Sequence, residues 1–512
     1  MRWPTGHALL SVMIVECALR VLFTSPVLAQ DPYPGFTIIS LRSTLDSYLI
    51  DLDHNVVKTW HGADVPTEIA YMLPDSSVLR PCRVPGAEGR GGRIQHIDSG
   101  DEVIWDYLFA DDNYLQHHDI EPMPNGNVLM VAWERRSMEE AIQAGRQNIA
   151  GDMKPTYIVE VQPDGPTGGI VVWEWRVWDH LVQDADPTKD NYGVVEDHPE
   201  LVDINFGVAG DGTWLHVNAI DYHEELDQIV FCARESSELY VIDHSTTTEE
   251  AAGHTGGRWG RGGDILYRWG NPQVYGRGDA ADQVIWSAHG VVWIDEGLPG
   301  AGNIMVFNNG DHPNPEDDLS SVEEILPPQS EPGVYIIEPG QPFGPAEAVW
   351  RYGDVPGFFS RTLGGAYRLP NGNTLICEGT QGRIFEVNPD GTVIWVFLAG
   401  NPVHRAPRYW EPVTATPASP PSARLGVNYP NPFNPSTTIA FAVEQEQQVT
   451  ISVFDTAGQL ITTLTDRVYV AGIHSVKWQG KDDAGRTVPS GTYLVQMQTD
   501  DGAEARKISL VR

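Results

Sequence analysis

One two-stranded pattern recurs along the chain, and this recurrence limits the folds that the chain can adopt. In its clear copies, the pattern is a short apolar strand, a turn with glycine, and a second strand that ends in an aromatic residue. Internal repeats with a period of tens of residues are typical of solenoids, propellers and arrays. The copies are RIQHIDSGDEVIWDYL (93–108), YIVEVQPDGPTGGIVVWEW (157–175), RIFEVNPDGTVIWVF (383–397) and, more loosely, SYLIDLDHNVVKTW (47–60), YVIDHSTTT with DILYRWG (240–270) and YIIEPGQPFGPAEAVWRYG (335–353).

A second hairpin precedes most of these copies, and its turns carry strong sequence signals. Pro-Asn-Gly-Asn favours a tight turn because Asn and Gly tolerate positive φ. Two hairpins make one four-stranded unit, so six units predict an all-β fold, a six-bladed β-propeller. A β-sandwich array and a β-helix are the alternatives. The second hairpins are EIAYMLPDSSVLRP (68–81), HDIEPMPNGNVLMVAWE (118–134), GGAYRLPNGNTLICEG (364–379) and, more loosely, HVNAIDYHEELDQIVFCAR (216–234) and HGVVWIDEGLPGAGNIMVFNNG (289–310).

The first unit begins near Phe36 and lacks its first strand. The segment NPVHRAPRYW (401–410), after the sixth unit, can supply it. A blade cannot bury both faces alone, whereas a closed ring covers them. We therefore predict a propeller over residues 30–412 that is closed by strands from both ends.

Both ends of the chain carry other segments. Residues 1–29 contain an apolar run that ends in Val-Leu-Ala, which indicates a secretory signal peptide, with a membrane anchor as the alternative. The net charge of −37 disfavours nucleic-acid and anionic-membrane partners and favours solubility outside the cell. Cys82, Cys232 and Cys377 form no disulfide or zinc pattern, and we interpret them as buried apolar residues.

A Pro/Ser/Ala linker at 413–424 precedes a second alternating segment at 425–512. This segment predicts an Ig-like β-sandwich of about seven strands. Its motifs NYPNPFNPSTTI, DTAGQ, VKWQGKDDAGRTVPSGTYLV and KISLVR resemble the Ig-like modules of the flagellar hook-assembly type. Such modules recur as type IX secretion sorting domains, so the resemblance implies export or surface attachment through secretion or cell-surface machinery.

Three histidines fall at similar places in consecutive units. In a propeller, the first strand of each blade lines the central channel, and His118, His216 and His289 are expected to begin three such strands. His117 should alternate away from His118 and serve packing or substrate support. Alternatively, the three histidines fall at these positions by chance, or they only form hydrogen bonds within the channel. The remaining histidines, including His180 and His254, fall in turns, outer strands or insertions, and are interpreted as surface or structural.

Two further residues suit an anionic ligand. Arg234 could hold an oxyanion through paired charged hydrogen bonds, or could instead form an ion pair with Glu235 or Glu238. Asn218 should share a strand face with His216 and could donate to an anion or bond within the channel. Three histidines also suit zinc, although the arginine charge argues against a cation there. We predict no metal.

The segments TWLHVNAIDYHEELDQIVFCARES, HHDIEPMPNGNVLM, HGVVWI, GNIMVFNNGD and LPNGNTLICEG resemble the bacterial arylsulfate sulfotransferases, with similarity over residues 36–412. The resemblance implies an exported propeller that moves a sulfuryl group from an aryl sulfate to a phenol without a nucleotide donor. It implies a sulfated His289, oxygen-binding His216 and Arg234, and a further active-site His118.

That chemistry needs no cofactor, and a bound cation would be structural. Neutral His289 would attack sulfur, while Arg234 and a protonated histidine offset charge on the transferring oxygens. A sulfate ester hydrolase and a non-catalytic surface-binding propeller are the alternative functions. The sequence leaves the donor, the acceptor and the oligomeric state open.

Overall fold

The computed structural model describes residues 31–41, 43–67, 69–84, 91–207, 212–410, 423–429, 433–443, 446–456, 458–470, 472–499 and 502–511. The fold in these ranges is almost entirely β. The signal-peptide prediction and the linker prediction lie outside the described residues, apart from the linker's last two residues. No helix in the described ranges is long and apolar enough to cross a membrane.

Six four-stranded antiparallel sheets follow one another between residues 36 and 409. The first three contain β1 (Phe36–Ser40), β2 (Asp46–Ile50) and β3 (Val56–His61); β4 (Tyr71–Met72), β5 (Val78–Arg83), β6 (Gly92–Ile97) and β7 (Val103–Leu108); and β8 (Tyr114–Pro122), β9 (Val128–Glu134), β10 (Thr156–Asp164) and β11 (Gly168–Arg176). A fourth strand joins sheet 1 from the far end of the segment.

The next three sheets repeat this order, with insertions between their strands. A parallel pair, β12 (Leu181–Val182) and β13 (Val202–Asp203), precedes sheet 4. Sheet 4 contains β14 (Val217–His223), β15 (Gln228–Ala233), β16 (Glu238–Asp243) and β17 (Tyr267–Trp269). Sheet 5 contains β18 (His289–Trp293), β19 (Ile304–Asn308), β20 (Ser321–Ile325) and β23 (Trp350–Tyr352), and a separate pair, β21 (Gln329–Glu331) and β22 (Val334–Tyr335), is inserted before its last strand. Sheet 6 contains β24 (Gly365–Arg368), β25 (Thr374–Glu378), β26 (Arg383–Val387) and β27 (Val393–Leu398).

Helical turns occur only in the connections of the described ranges. The two short helices, α1 and α2, begin at capping boxes formed by Ser137 with Glu140 and by Thr247 with Glu250. The helices are α1 (Met138–Gln143) and α2 (Thr248–Ala251), and the 3-10 turns span Val177–Asp179, Val195–Asp197, Pro272–Tyr275, Pro315–Asp317 and Gly379–Gln381.

The strand that residues 401–410 were predicted to supply is present in sheet 1. Residues Arg408–Tyr409 form β28 and pair antiparallel with β1 at Thr37 and Phe36. Arg408 is buried against Glu386 of sheet 6 and also bonds to Thr37. Strands from both ends of the segment therefore build one sheet.

The third strand of sheet 5 is not the segment that the sequence predicts. The sequence YIIEP was expected to form the third strand of sheet 5, but that strand is Ser321–Ile325, and Val334–Tyr335 pairs with the insertion strand Gln329–Glu331. The sequence SVEEI does not look like an inner strand because it carries two carboxylates. Both are buried beside arginines, Glu323 with Arg351 and Glu324 with Arg368. A pairing partner distant in sequence makes their burial possible.

The C-terminal module has the predicted seven strands. Its two sheets have the orders β29-β30-β33 and β32-β31-β34-β35, and one apolar cluster includes Leu425, Trp478 and Tyr493. The strands are β29 (Ala423–Tyr429), β30 (Thr437–Val443), β31 (Gln447–Asp455), β32 (Leu460–Tyr469), β33 (Gly472–Trp478), β34 (Gly491–Thr499) and β35 (Gly502–Leu510).

Side-chain cores lie between neighbouring sheets of the first segment. One cluster combines Leu129 and Trp175 of sheet 3 with Phe231 of sheet 4. Strand β8 also packs against β14, β14 against β18, and β18 against β24, so the first strands of sheets 3 to 6 lie side by side. The described cysteines Cys82, Cys232 and Cys377 are free and buried, as predicted.

Candidate active site

The hydrogen bonds around His289 specify which ring nitrogen carries the proton. Its Nδ1 lies 2.6 Å from Oδ1 of Asn309 and 3.0 Å from the carbonyl oxygen of Ser287. The Asn309 amide donates its Nδ2 hydrogens to the carbonyls of Ser360 and Leu363, which leaves Oδ1 facing the imidazole. Because both neighbours of Nδ1 accept, Nδ1 carries the proton and Nε2 keeps its lone pair. A neutral ring in this tautomer is a nucleophile at Nε2.

The surroundings of His289 also hold the ring neutral. The pKa of His289 is lowered to about 4, mainly by burial and also by the charges of Arg234 and Arg405, while the hydrogen bond that the ring donates to Asn309 raises it. The neutral form therefore dominates above about pH 5. A protonated imidazole has no lone pair for attack, so this shift favours nucleophilic chemistry.

Three other histidines form a chain of ring contacts. The Nε2 atoms of His118 and His216 lie 3.3 Å apart, and the Nδ1 atoms of His117 and His118 lie 2.7 Å apart. All three residues are buried, and His117 stacks on Trp133 with ring centroids 4.1 Å apart. In each contact one nitrogen must donate and the other accept. The chain can thus hold a proton at His216 or His118.

The backbone at these residues departs from a regular strand. His118 and His216 have φ of 53° and 54°, an uncommon conformation for residues other than glycine. The pairing register shifts between Gln116 and Ile120, between Val217 and Ala219, and between His289 and Val292. Such residues concentrate at functional sites, where the surrounding structure holds them.

These irregularities correct two expectations. Only His289 begins its strand, whereas His216 directly precedes β14 and His118 is the fifth residue of β8. His117 does not point away from His118, because the bulge and the positive φ at His118 break the alternation. The three expected histidines still lie in or directly before the neighbouring strands β8, β14 and β18.

The backbone N–H of Arg234 donates to the His216 carbonyl at 3.2 Å, and two carboxylates hold the Arg234 side chain. It forms ion pairs of 2.5 Å with Glu235 and 3.3 Å with Asp311, so the ion pair with Glu235 that was the alternative interpretation is present. Its charge still reaches His289, whose pKa it lowers. The Arg234 side chain is about one-fifth exposed, and its guanidinium retains N–H donors for an anion.

Asn218 is already bonded within the protein. Its Nδ2 donates to the Ala288 carbonyl at 2.9 Å, and its Oδ1 accepts from the Cys232 thiol. The amide thus joins sheet 4 to the residue before His289. This arrangement agrees with the alternative in which Asn218 forms its hydrogen bonds within the protein and not with an anion.

A buried ion pair lies beside His118. Asp119 pairs with Arg405 from the segment before β28, accepts from the Ile220 backbone N–H, and accepts from the Tyr71 hydroxyl at 3.1 Å. Desolvation raises the pKa of Asp119, while Arg405 lowers it. The pair connects four strand-bearing segments and places a second cationic side chain near His289.

Sequence reasoning missed Asn309, Trp133, Asp119 and Arg405. A signal existed for two of them: Trp133, Arg234 and Asn309 each lie six residues after an equivalent residue at the start of the second strand, which is Asn127, Gln228 and Asn303 in the three units. That position directly follows the second strand in sheets 4 and 5 and falls near its end in sheet 3. Arg405 gave no such signal, because it reaches Asp119 across almost the whole segment.

Together, these features define an all-β protein with a buried, neutral histidine whose Nε2 is available for attack, within the field of two arginines. A family model described as arylsulfotransferase (ASST) matches residues 89–394, more than half of the chain. The chain therefore belongs to the arylsulfotransferase family. A second model, the FlgD Ig-like domain, matches residues 433–503 of the C-terminal module.

Individual relatives either match a small part of this chain or have a low sequence identity and a low TM-score. The basal-body rod modification protein FlgD of Salmonella typhimurium is 34% identical over 70 residues, which are 13% of this chain and 30% of that protein. A protein of unknown function from Bacteroides caccae has 11% identity and a TM-score of 0.42, covering 74% of this chain and all of that one. Virginiamycin B lyase from Staphylococcus aureus has 12% identity and a TM-score of 0.35, covering 80% of this chain and 92% of that one.

Proposed function

We propose that this protein transfers a sulfuryl group from an aryl sulfate to a phenol through a sulfated His289. The observation that carries the proposal is the hydrogen bonding of Nδ1 to Asn309 and Ser287, which directs the lone pair to Nε2. Family membership supports the reaction class. The low pKa of His289 keeps the nucleophile available near neutral pH.

In the first step, Nε2 of His289 attacks sulfur in line with the leaving oxygen. The N–S bond forms as the S–O bond to the aryl group breaks, and the aryl oxygen departs with the bonding pair. The Nδ1 proton stays on the ring, where Asn309 and the Ser287 carbonyl stabilise the positive charge of the sulfated imidazole. Arg234 offsets charge on the sulfuryl oxygens. In the second step, the phenol oxygen attacks the same sulfur and His289 leaves.

The chain of His117, His118 and His216 supplies the proton for these steps. A proton at His216 or His118 passes to the departing phenolate and returns from the incoming phenol. Two nitrogen-to-nitrogen contacts allow this proton to move without a rearrangement of the rings. His117 then acts behind His118, and its stacking on Trp133 positions the chain.

The architecture and location of the protein complete this proposal. We infer that the six sheets over residues 30–412 close into a six-bladed propeller, supported by β28 in sheet 1 and by the packing of first strands. Residues 1–29 would direct secretion, and 425–512 would mediate sorting or surface attachment through a partner of the export machinery. The active protein would then be secreted, periplasmic or on the cell surface.

The first test is an activity assay with 4-nitrophenyl sulfate as donor and a simple phenol as acceptor. We expect phenol-dependent release of 4-nitrophenol with ping-pong kinetics, because the sulfuryl group rests on His289 between the two substrates. The measurement is initial rate against both concentrations. Steady turnover without phenol would indicate the hydrolase, and failure to react with a panel of aryl sulfates would favour a binding propeller.

The hydrogen bond between Nδ1 of His289 and Asn309 predicts a pH effect of substitutions at Asn309. Sulfation of His289 should be half-maximal near pH 4, its pKa, and fall as the pH drops because the imidazole gains a proton. The Asn309→Asp variant places a carboxylate beside Nδ1, which favours the charged ring. We therefore expect the acid limb of single-turnover sulfation to move to higher pH.

The matched control for this measurement is Asn314→Asp, an exposed asparagine at a short turn of the same sheet. Its acid limb should coincide with that of the unmodified protein. Quenched-flow mass spectrometry at a series of pH values gives the sulfated fraction. An unchanged acid limb in Asn309→Asp would contradict the assigned hydrogen bond.

A further inference from the structure

A second cluster of metal-ligating side chains lies outside the proposed catalytic site. Among the described residues, His180, His254 and Asp264 are the one group of three such residues whose ligand atoms all lie within 4.8 Å of one another. Nδ1 of His180 lies 3.0 Å from Asp264 Oδ1, and Nδ1 of His254 lies 2.7 Å from the same oxygen. The sequence placed both histidines among the surface or structural residues.

The hydrogen bonding of His180 leaves a charge to be explained. Its Nε2 lies 2.8 Å from the Ala251 carbonyl, which can only accept, so Nε2 carries a proton. Its Nδ1 faces the Asp264 carboxylate, which also accepts when ionised. A neutral imidazole has one proton and cannot satisfy both oxygens. Either a second proton or a cation must therefore lie between Nδ1 and the carboxylate.

The position of the second histidine favours a cation over a proton. His254 directs its own Nδ1 to the oxygen that His180 already faces, so three ligand atoms converge on one point. A ring whose other N–H donates to a backbone carbonyl is the usual arrangement of a metal-bound histidine. Ligands about 2.0–2.1 Å from a tetrahedral ion lie about 3.3 Å apart. The two nitrogen-to-oxygen distances of 3.0 and 2.7 Å at Asp264 Oδ1 are shorter than this by only a few tenths of an ångström, and all three ligand atoms lie within 4.8 Å of one another.

The local backbone is shaped for this arrangement. A Cβ at Gly263 would lie 2.6 Å from His180 Nε2 and 2.0 Å from the Ala251 carbonyl oxygen, so only glycine permits the approach. Trp175 stacks on the buried His180 ring at an interplanar angle of 5°. His254 is mostly exposed and also lines a cavity of about 660 Å³, which gives an ion a route from solvent.

We propose that His180, His254 and Asp264 bind a divalent transition-metal ion of the zinc type. Two imidazoles and one carboxylate suit such an ion, and the fourth position would hold water or another small ligand. The ligands come from the turn after β11, the loop after α2 and the approach to β17. The ion would thus join an extension of sheet 3 to sheet 4, apart from the histidines of the proposed transfer reaction.

The test measures zinc binding by the full-length, untagged protein after chelator treatment, in excess Mg²⁺ to occupy weak acidic sites. We expect one equivalent of Zn²⁺ by isothermal titration calorimetry, and a higher melting temperature with Zn²⁺. Asp264→Asn and His254→Ala should each weaken binding about 100-fold or more, as loss of a ligand removes a bond to the metal. His254 is exposed, so His254→Ala should fold normally.

The matched control is His198→Ala. His198 lines the same cavity and pairs with Glu200, but it lies outside the cluster. Its zinc stoichiometry and affinity should equal those of the unmodified protein. Cobalt loading adds a spectroscopic test, since three protein ligands around Co²⁺ give intense visible absorption that His254→Ala should lose. No stoichiometric zinc binding, or equal binding by His254→Ala, would overturn the site and leave an imidazolium–carboxylate pair.

Discussion

The His289→Ala variant should lose turnover of an aryl sulfate by about 10³-fold or more, because it removes the atom that receives the sulfuryl group. Intact-protein mass spectrometry after mixing with 4-nitrophenyl sulfate should show a sulfuryl adduct on the unmodified protein and none on the variant. The neighbouring arginines and histidines remain in place. Substrate binding should therefore persist, and the loss should appear mainly in kcat.

His96→Ala is the matched control for this variant. His96 lies in β6, away from the first strands, and its Nε2 bonds to the Ser77 hydroxyl at 2.7 Å. Activity and adduct should both survive this substitution, and peptide mapping should locate the sulfuryl group at position 289. An active His289→Ala protein, or an adduct on His118 or His216 instead, would refute the assigned nucleophile.

A chain that ends at residue 400 should fail to fold, whereas a chain that ends at 412 should unfold in one cooperative transition. The shorter chain loses β28 and leaves two carboxylates buried without their arginines: Asp119 loses Arg405, and Glu386 loses Arg408. Each broken buried pair costs about 3–5 kcal/mol, and native domains are stable by only about 5–15 kcal/mol. Circular dichroism during thermal unfolding measures the difference.

Two full-length variants distinguish the contribution of the β28 backbone pairing from that of the buried arginine charges. Arg405→Met and Arg408→Met keep the backbone pairing of β28 but remove one arginine each, so each should lower the melting temperature without abolishing folding. The chain ending at 412 also reveals whether residues 31–410 fold without the C-terminal module. If the chain ending at 400 melts at the same temperature as the chain ending at 412, the closing strand is dispensable and the proposed ring is wrong.

Much of the architecture could be predicted from local patterns. Hairpins are short-range structures, and Pro-Asn-Gly-Asn turns flanked by apolar residues specify them within about fifteen residues, as at 118–134 and 364–379. The strand β28 could be predicted by counting the strands of each unit, because the first unit lacks one strand and the end of the segment can supply it. The prediction failed at Ser321–Ile325, where arginines from other segments neutralise two glutamates inside a strand.

The candidate site was predictable only in part. The repeat placed His118, His216 and His289 at equivalent positions of successive units, and the first strands of these units lie side by side in the structure. Which side of the strand each histidine faces was not predictable, since the bulges near His118, His216 and His289 break the alternation on which such reasoning depends. The contact of His117 with His118 is the clearest consequence.

The sequence by itself determined the β class, the repeating unit, the strand that completes sheet 1 and the residue types of the candidate site. These features depend on periodicity and turn chemistry, which are local. Only the tertiary structure decided that Asn309 sets the proton on His289, that Arg405 neutralises Asp119, and that His180, His254 and Asp264 meet at one point. Each of these contacts joins separate segments of the chain. These contacts are important because they are buried: away from water, a charged or protonated group needs a specific neighbour that replaces its lost hydration.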